Sequence, residues 1–210
     1  MPTHHEYIDT FKQYRDDVLG ANRLNLELRA RHGNIWTKEG LTRLSEMTQA
    51  VMFLPNINRL GVQSLWTPNS FVNEITEEGF RADPLIPGTV TPERLDQGII
   101  DKIANSTAQG GFVGTLVARD QSSAMITAEL NELDENGKQL DYVAYNQVLE
   151  QQIRAQFEDD AFEIQIIGFA KQIGDIADGA SAVLEFCLLA LLLTAAAVYW
   201  YCHSVRFTLL

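Results

Sequence analysis

Cysteine is nearly missing from this chain: 210 residues contain two, Cys187 and Cys202, both within the last 33 positions. Residues 1–177 therefore have no thiol for a disulfide framework or a cysteine-based zinc site. Basic residues are also scarce, with 16 Lys and Arg against 28 Asp and Glu and a formal charge of −12. A surface of that sign repels phosphate backbones, which excludes nucleic acid as a general partner. The N-terminal stretch MPTHHEYIDTFKQY lacks an apolar run, so nothing in it reads as a signal peptide or a first span.

The motifs of common chemistry are missing as well. There is no Gly-x-Ser-x-Gly elbow and no phosphate-binding Gly-Lys-Ser/Thr. Histidines occur at 4, 5, 32 and 203, and none has zinc-ligand spacing with a second Cys or His group. His4 and His5 beside Glu6 are adjacent in sequence, so their side chains point apart. Asp134-Glu135-Asn136-Gly137 starts like a calcium loop, but the later ligand positions do not follow, and a turn is the better reading. Gly110-Gly111-Phe112-Val113-Gly114 has the wrong spacing for a dinucleotide fingerprint. Asn105-Ser106-Thr107 is an acceptor sequon that matters only in a glycosylating pathway. The expectation is a protein that is not an enzyme, with no catalytic residue, no metal and no cofactor.

What is present is distributed unevenly. Residues 1–177 carry a net charge of −11, while the last 33 residues hold only three charged side chains, Asp178, Glu185 and Arg206. From Phe186 to Cys202 the sequence FCLLALLLTAAAVYWYC has no charge, and Thr194 is its one hydroxyl outside the tyrosines. Extended back to Ala180, it reaches 23 residues, interrupted by Ser181 and Glu185. At about 1.5 Å per residue, such a helix spans roughly 26–35 Å, the thickness of a bilayer's hydrocarbon core. Tyr199, Trp200 and Tyr201 at one end resemble an interfacial aromatic belt, followed by His203 and Arg206. The lipid bilayer is thus the first expected partner. The basic flank places Arg206 in the cytoplasm and the acidic domain outside. Glu185, near the outer end of the span, is the candidate intramembrane ionisable site. Cys187 and Cys202 lie 15 positions apart on this helix, about 22 Å, and cannot pair with each other.

The polar domain mixes two hydrophobic periods. Leu24, Leu26, Leu28 and Ala30 alternate with polar residues, as in a half-buried strand. Thr37 caps a helix with Leu41, Leu44, Met47 and Val51 on one face. Pro55 and Gly61 bracket an expected turn before a strand at Val62–Trp66, and residues 67–88 resist assignment. Thr91-Pro92-Glu93 reads as a helix start, with Leu95, Ile99 and Ile103 facing inward. Gly114–Arg119 and Ala124–Leu133 read as a hairpin. Asp141 opens a helix carrying Tyr142, Tyr145, Leu149 and Ile153, and Phe162, Ile164 and Ile166 form a last strand. With 67–111 set aside as an insertion, the order is β-α-β-β-α-β. The expected class is α+β, ferredoxin-like, with both helices on one face of an antiparallel sheet. Phe169, Ile173 and Ile176 extend the helical period outward from the span, with Gly174 and Gly179 as bends or packing contacts. The expected divisions are a domain at 1–177, a membrane helix at 178–203 and the start of a further segment at 204–210.

Several segments resemble a recurring pattern: Ala21-Asn22-Arg23, Phe53-Leu54-Pro55, Ser64-Leu65-Trp66-Thr67-Pro68-Asn69, Gly111 to Asp120, Ile166 to Lys171, and Gly174-Asp175-Ile176-Ala177-Asp178-Gly179 before the apolar helix. Together, over roughly residues 7–210, the chain is similar to the first extracytoplasmic loop and second membrane helix of bacterial RND-superfamily exporters, in particular the RND/MMPL type associated with hydrophobic or lipid-like cargo. The resemblance implies a ferredoxin-like porter domain in the bacterial inner membrane, with residues 1–177 on the periplasmic side. Its implied partners are the remaining helices and porter domains of a proton-driven exporter, and a hydrophobic small-molecule or lipid cargo. The proton relay of that family falls in a later helix and maps onto no residue here. The chain is therefore expected to be a piece of an exporter, inactive alone. The alternative is a single-span, membrane-anchored extracytoplasmic binding or interaction protein.

Overall fold

Strand β1 (Arg23–Ala30) buries one side of its pleat and exposes the other. Leu24, Leu26, Leu28 and Ala30 point into the core, as alternation requires. The computed structural model describes residues 22–76, 79–133 and 137–202. Across these the chain is α+β, with a four-stranded antiparallel sheet, a separate two-stranded hairpin and a long C-terminal apolar helix.

Helix α1 (Lys38–Met52) begins where the sequence indicates. Thr37 is extended, and its hydroxyl accepts the Gly40 N–H at 2.9 Å. Leu41, Leu44, Met47 and Val51 are all fully buried against the sheet. Each such side chain contributes about 1.5–3 kcal/mol by leaving water. The next strand, β2 (Ile57–Gln63), corrects the sequence reading twice. The turn lies at Pro55–Asn56, where Asn56 has φ 60°, and Gly61 is inside the strand. Residues 64–66, expected as strand, belong to a turn instead.

That turn is held by buried hydroxyls rather than by a ladder. Ser64 N–H donates to Thr67 Oγ1 at 2.9 Å, Ser70 Oγ donates to the Ser64 carbonyl at 2.7 Å, and Thr48 Oγ1 of α1 lies 3.0 Å from Ser64 Oγ. Trp66 Nε1 donates to the Leu41 carbonyl at 2.9 Å, tying the turn to α1. Hydrophobic alternation is blind to such a device, because short polar side chains provide the partners.

The stretch left unassigned at 67–88 contains the hairpin β3 (Phe71–Thr76) and β4 (Gly79–Pro84), paired antiparallel from Phe71↔Pro84 to Thr76↔Gly79. The helix expected to start at Thr91 is only a 3-10 turn, Pro92–Arg94. Helix α2 (Gln97–Gln109) starts one turn later, where Asp96 Oδ1 accepts the Ile99 N–H at 2.8 Å. The shift moves the inner face to Ile100, Ile103 and Thr107, with Ile99 only partly buried. Gly114–Arg119 is also not a strand. The chain turns tightly just before it at Gly111 (φ 73°) and again at Gly114 (φ 89°), and Val117 makes only isolated bridges to Val113 and Ala124.

Strand β5 (Ser123–Leu130) follows, with Ala124, Ile126, Ala128 and Leu130 buried as expected. Helix α3 (Tyr142–Leu149) is capped by Asp141, whose carboxylate accepts the N–H groups of Val143 and Ala144. It continues through a π-helical turn, Glu150–Arg154, into Ala155–Phe157. Strand β6 (Phe162–Gly168) completes the sheet in the order β2-β5-β1-β6, every neighbouring pair antiparallel. Tyr145, Leu149 and Ile153 join the same core as the buried residues of α1 and the sheet. The opposite sheet face, with Asn25, Glu27, Thr127, Glu129, Glu163 and Gln165, is polar and half-buried.

Candidate functional site: the joint between the domain and the apolar helix

Helix α4 (Phe169–Cys202) follows β6 with no linker. Gly168 makes this possible: a Cβ there would lie 2.9 Å from the Arg23 carbonyl oxygen on β1. The helix has 34 residues, about 51 Å of length. It therefore starts nine positions before the expected span boundary at Asp178, so its first turns belong to the domain and the rest to the apolar segment. It is the one described helix long and apolar enough to cross a membrane, and none of its apolar window is buried.

Helix α3 grips the first turns of α4. Tyr142 and Phe169 meet edge-to-face with centroids 5.3 Å apart, and the Tyr142 hydroxyl accepts from Asn22 Nδ2 at 2.9 Å. Lys171 Nζ lies 2.9 Å from Glu150 Oε1 and also pairs with Asp175 on its own helix. Asn146, 2% exposed, donates through Nδ2 to Asp178 Oδ2 at 3.2 Å, while its Oδ1 is buried without a partner. Gly174 packs directly beneath Asn146.

Two further ties fix α3 to the domain. Tyr145 donates from its hydroxyl to the Pro55 carbonyl at 3.0 Å, and burial pushes its phenol pKa upward. Arg154 in the π-helical turn bonds Glu150 at 2.8 Å, Glu158 at 3.0 Å and the Ile164 carbonyl. The π-turn reorients these groups relative to a regular helix, which is how such bulges often serve functional positions.

The residues singled out from sequence sit further along α4. The Glu185 side chain is exposed and makes no hydrogen bond or ion pair with a described residue. It lies seven residues beyond Asp178, about 10 Å along the axis, and does not join the clamp. Tyr199, Trp200 and Tyr201 are all exposed near the far end of α4. Arg206, His203, His4 and His5 lie outside the described residues, as do Asp134 to Asn136 of the turn ending at Gly137. Cys187 is exposed on the apolar segment. Among the described residues no group of three or more His, Cys, Asp or Glu is arranged to hold a metal ion.

Sequence reasoning missed Asn146 and Glu150; it left Gly174 open as a bend or a packing contact, and the structure shows it packed against Asn146. The available signal was the pair of small residues Gly174 and Gly179 in an otherwise continuous helix; Gly179 faces open space. In comparisons with known proteins, no protein-family model and no curated protein matches the chain.

Proposed function

We propose that this chain is the porter-type extracytoplasmic domain and adjoining membrane helix of an RND-superfamily exporter of the RND/MMPL type. It works with the remaining membrane helices and porter domains in the bacterial inner membrane, with residues 1–177 on the periplasmic side, and its cargo is hydrophobic or lipid-like. The strand order β2-β5-β1-β6 supports a ferredoxin-like reading of the domain. That is the order a β-α-β-β-α-β chain takes in the split βαβ arrangement, with the hairpin and α2 as an insertion between the second and third of its strands.

The observation that carries the proposal is the joint without a linker. A proton-driven exporter must convert movement among its membrane helices into movement of its outer domains. A flexible linker would dissipate that movement. Here β6 continues through one glycine into α4, and Asn146, Glu150 and Tyr142 hold the first turns of α4 to α3. Glu185 stands near one end of the apolar segment, so a proton bound there crosses little of the membrane. The energising relay belongs to other helices of the assembly.

Two measurements test this reading. The DNA flanking the coding region should encode further membrane helices, one of them with acidic residues at mid-membrane; flanks with no such helix would favour the single-span binding protein. Independently, Thr89→Cys in a chain with Cys187→Ala and Cys202→Ala should react with an impermeant maleimide in intact spheroplasts. Reaction only after permeabilisation would reverse the orientation.

A further inference from the structure

Away from the sheet, the hairpin β3–β4 and helix α2 enclose a cavity of about 390 Å³. That volume is within the range of small-ligand pockets, roughly 300–1,000 Å³. Its walls are mainly apolar: Val72 and Leu85 on the hairpin side, Ile99 and Ile103 on α2, and Pro87 and Val90 between them. The polar groups lining it are few, namely Asp83, Lys102 and Ser106.

Their charges are not equivalent. Asp83 is already matched, because Arg81 Nε lies 2.7 Å from its Oδ2. The Lys102 side chain is exposed and has no hydrogen bond or ion pair with a described residue. The other described lysines all have partners: Lys38 donates to the Glu93 carbonyl, Lys171 pairs with Glu150 and Asp175, and Lys138 is also engaged. In a chain with a net charge of −12, an unmatched cation beside an apolar cavity stands out. Ser106 follows Lys102 by four positions on α2, so both project on the same side of the helix.

The geometry points to a binding site for a single-chain anionic amphiphile, with its alkyl chain in the cavity and its carboxylate against Lys102. Ser106 supplies a neutral hydroxyl beside that charge. An uncharged chain would fill the same walls but leave Lys102 unmatched. A large or multiply charged head would approach the Asp83 carboxylate. The site is built from the hairpin and α2 and owes nothing to the sheet or to α4, so it stands or falls separately from the exporter reading.

The test uses the full chain in lipid nanodiscs with a dodecanoate probe carrying a mid-chain diazirine. After irradiation, labelled peptides are mapped by mass spectrometry. Label is expected within residues 72–106 and is displaced by unlabelled dodecanoate. It should fall about fivefold in Lys102→Glu, as loss and reversal of one exposed charge pairing allows, and persist in Lys102→Arg. Lys102 is exposed, so these variants keep the fold; Ile103→Trp, which fills the cavity, should abolish labelling. Equal labelling of the same peptides by an uncharged dodecanol probe would overturn the proposal. So would label confined to 183–202, or label within 72–106 that Lys102→Glu leaves unchanged.

Discussion

Gly174 of α4 and Asn146 of α3 approach so closely that a Cβ on residue 174 would collide with the Asn146 Cβ. The obstructing atom is attached to the α3 backbone, so a rotamer change cannot clear it. The long apolar helix is thereby held to the domain at a point where only glycine fits.

Gly174→Ala should therefore destabilise the domain even though alanine favours a helix interior by about 1 kcal/mol. Overpacking costs about 1–3 kcal/mol at a tight contact. Because Asn146 Cβ itself is in the way, adding Asn146→Ala should not restore stability. Thermal unfolding of the two variants beside wild type measures both effects. An unchanged or raised Tm for Gly174→Ala would mean that α4 is not clamped here.

The core and the edge of the sheet should respond very differently to the same truncation. Leu26 is fully buried on β1, the strand flanked by β5 and β6, and Leu26→Ala should cost about 2–5 kcal/mol. Leu60 lies on the edge strand β2, where the register shifts between Asn58 and Gln63, and is 91% exposed. Leu60→Ala should stay within about 0.5 kcal/mol. Denaturant midpoints for the pair check the contrast.

Acidification should weaken the β6 entry. Asp159 accepts the Phe162 N–H at 2.9 Å and the Ala161 N–H at 2.8 Å, and Arg43 Nη1 lies 2.8 Å from its Oδ2. The Phe162 N–H first, and Arg43 among the further contributors, hold its carboxyl below the usual aspartate value. A pKa lowered by folding means that the unfolded chain takes up the proton first. The associated stability is present above the unfolded pKa of about 3.9 and is lost as pH falls through the lower folded value. Asp159→Asn should flatten the fall in Tm on acidification below pH 5. An unaltered slope would assign the acid sensitivity to other carboxylates.

Membrane association should depend on the apolar portion of α4 alone. Each Leu or Phe favours insertion by about 0.3–0.6 kcal/mol, and one Arg at mid-helix opposes it by about 2.5–3.5 kcal/mol. The double variant Leu192→Arg and Leu193→Arg should move the chain from carbonate-resistant membranes to the soluble or aggregated fraction. Glu185→Gln, near the end of the segment, should leave it in the membrane.

Much of this was legible in the sequence, because periodicity reports which side of an element faces the core. Leu24 to Ala30, Leu41 to Val51, Ala124 to Leu130 and Phe162 to Ile166 occupy the buried positions that their spacing indicated. The caps Thr37 and Asp141 were legible too, since each provides its helix with a hydrogen bond from within a few residues. The apolar run that ends at Tyr199 to Tyr201 needed only length and composition. Other features depended on partners distant in sequence, and only the tertiary structure decided them. The Ser64 turn is fixed by Thr48 and Leu41 of α1, and β2 takes its register from β5. The grip on α4 belongs to this second kind. Local preference marks Gly174 only as a weak point in a helix, and its role emerges when Asn146, 28 residues earlier, fills the space where a side chain would otherwise stand.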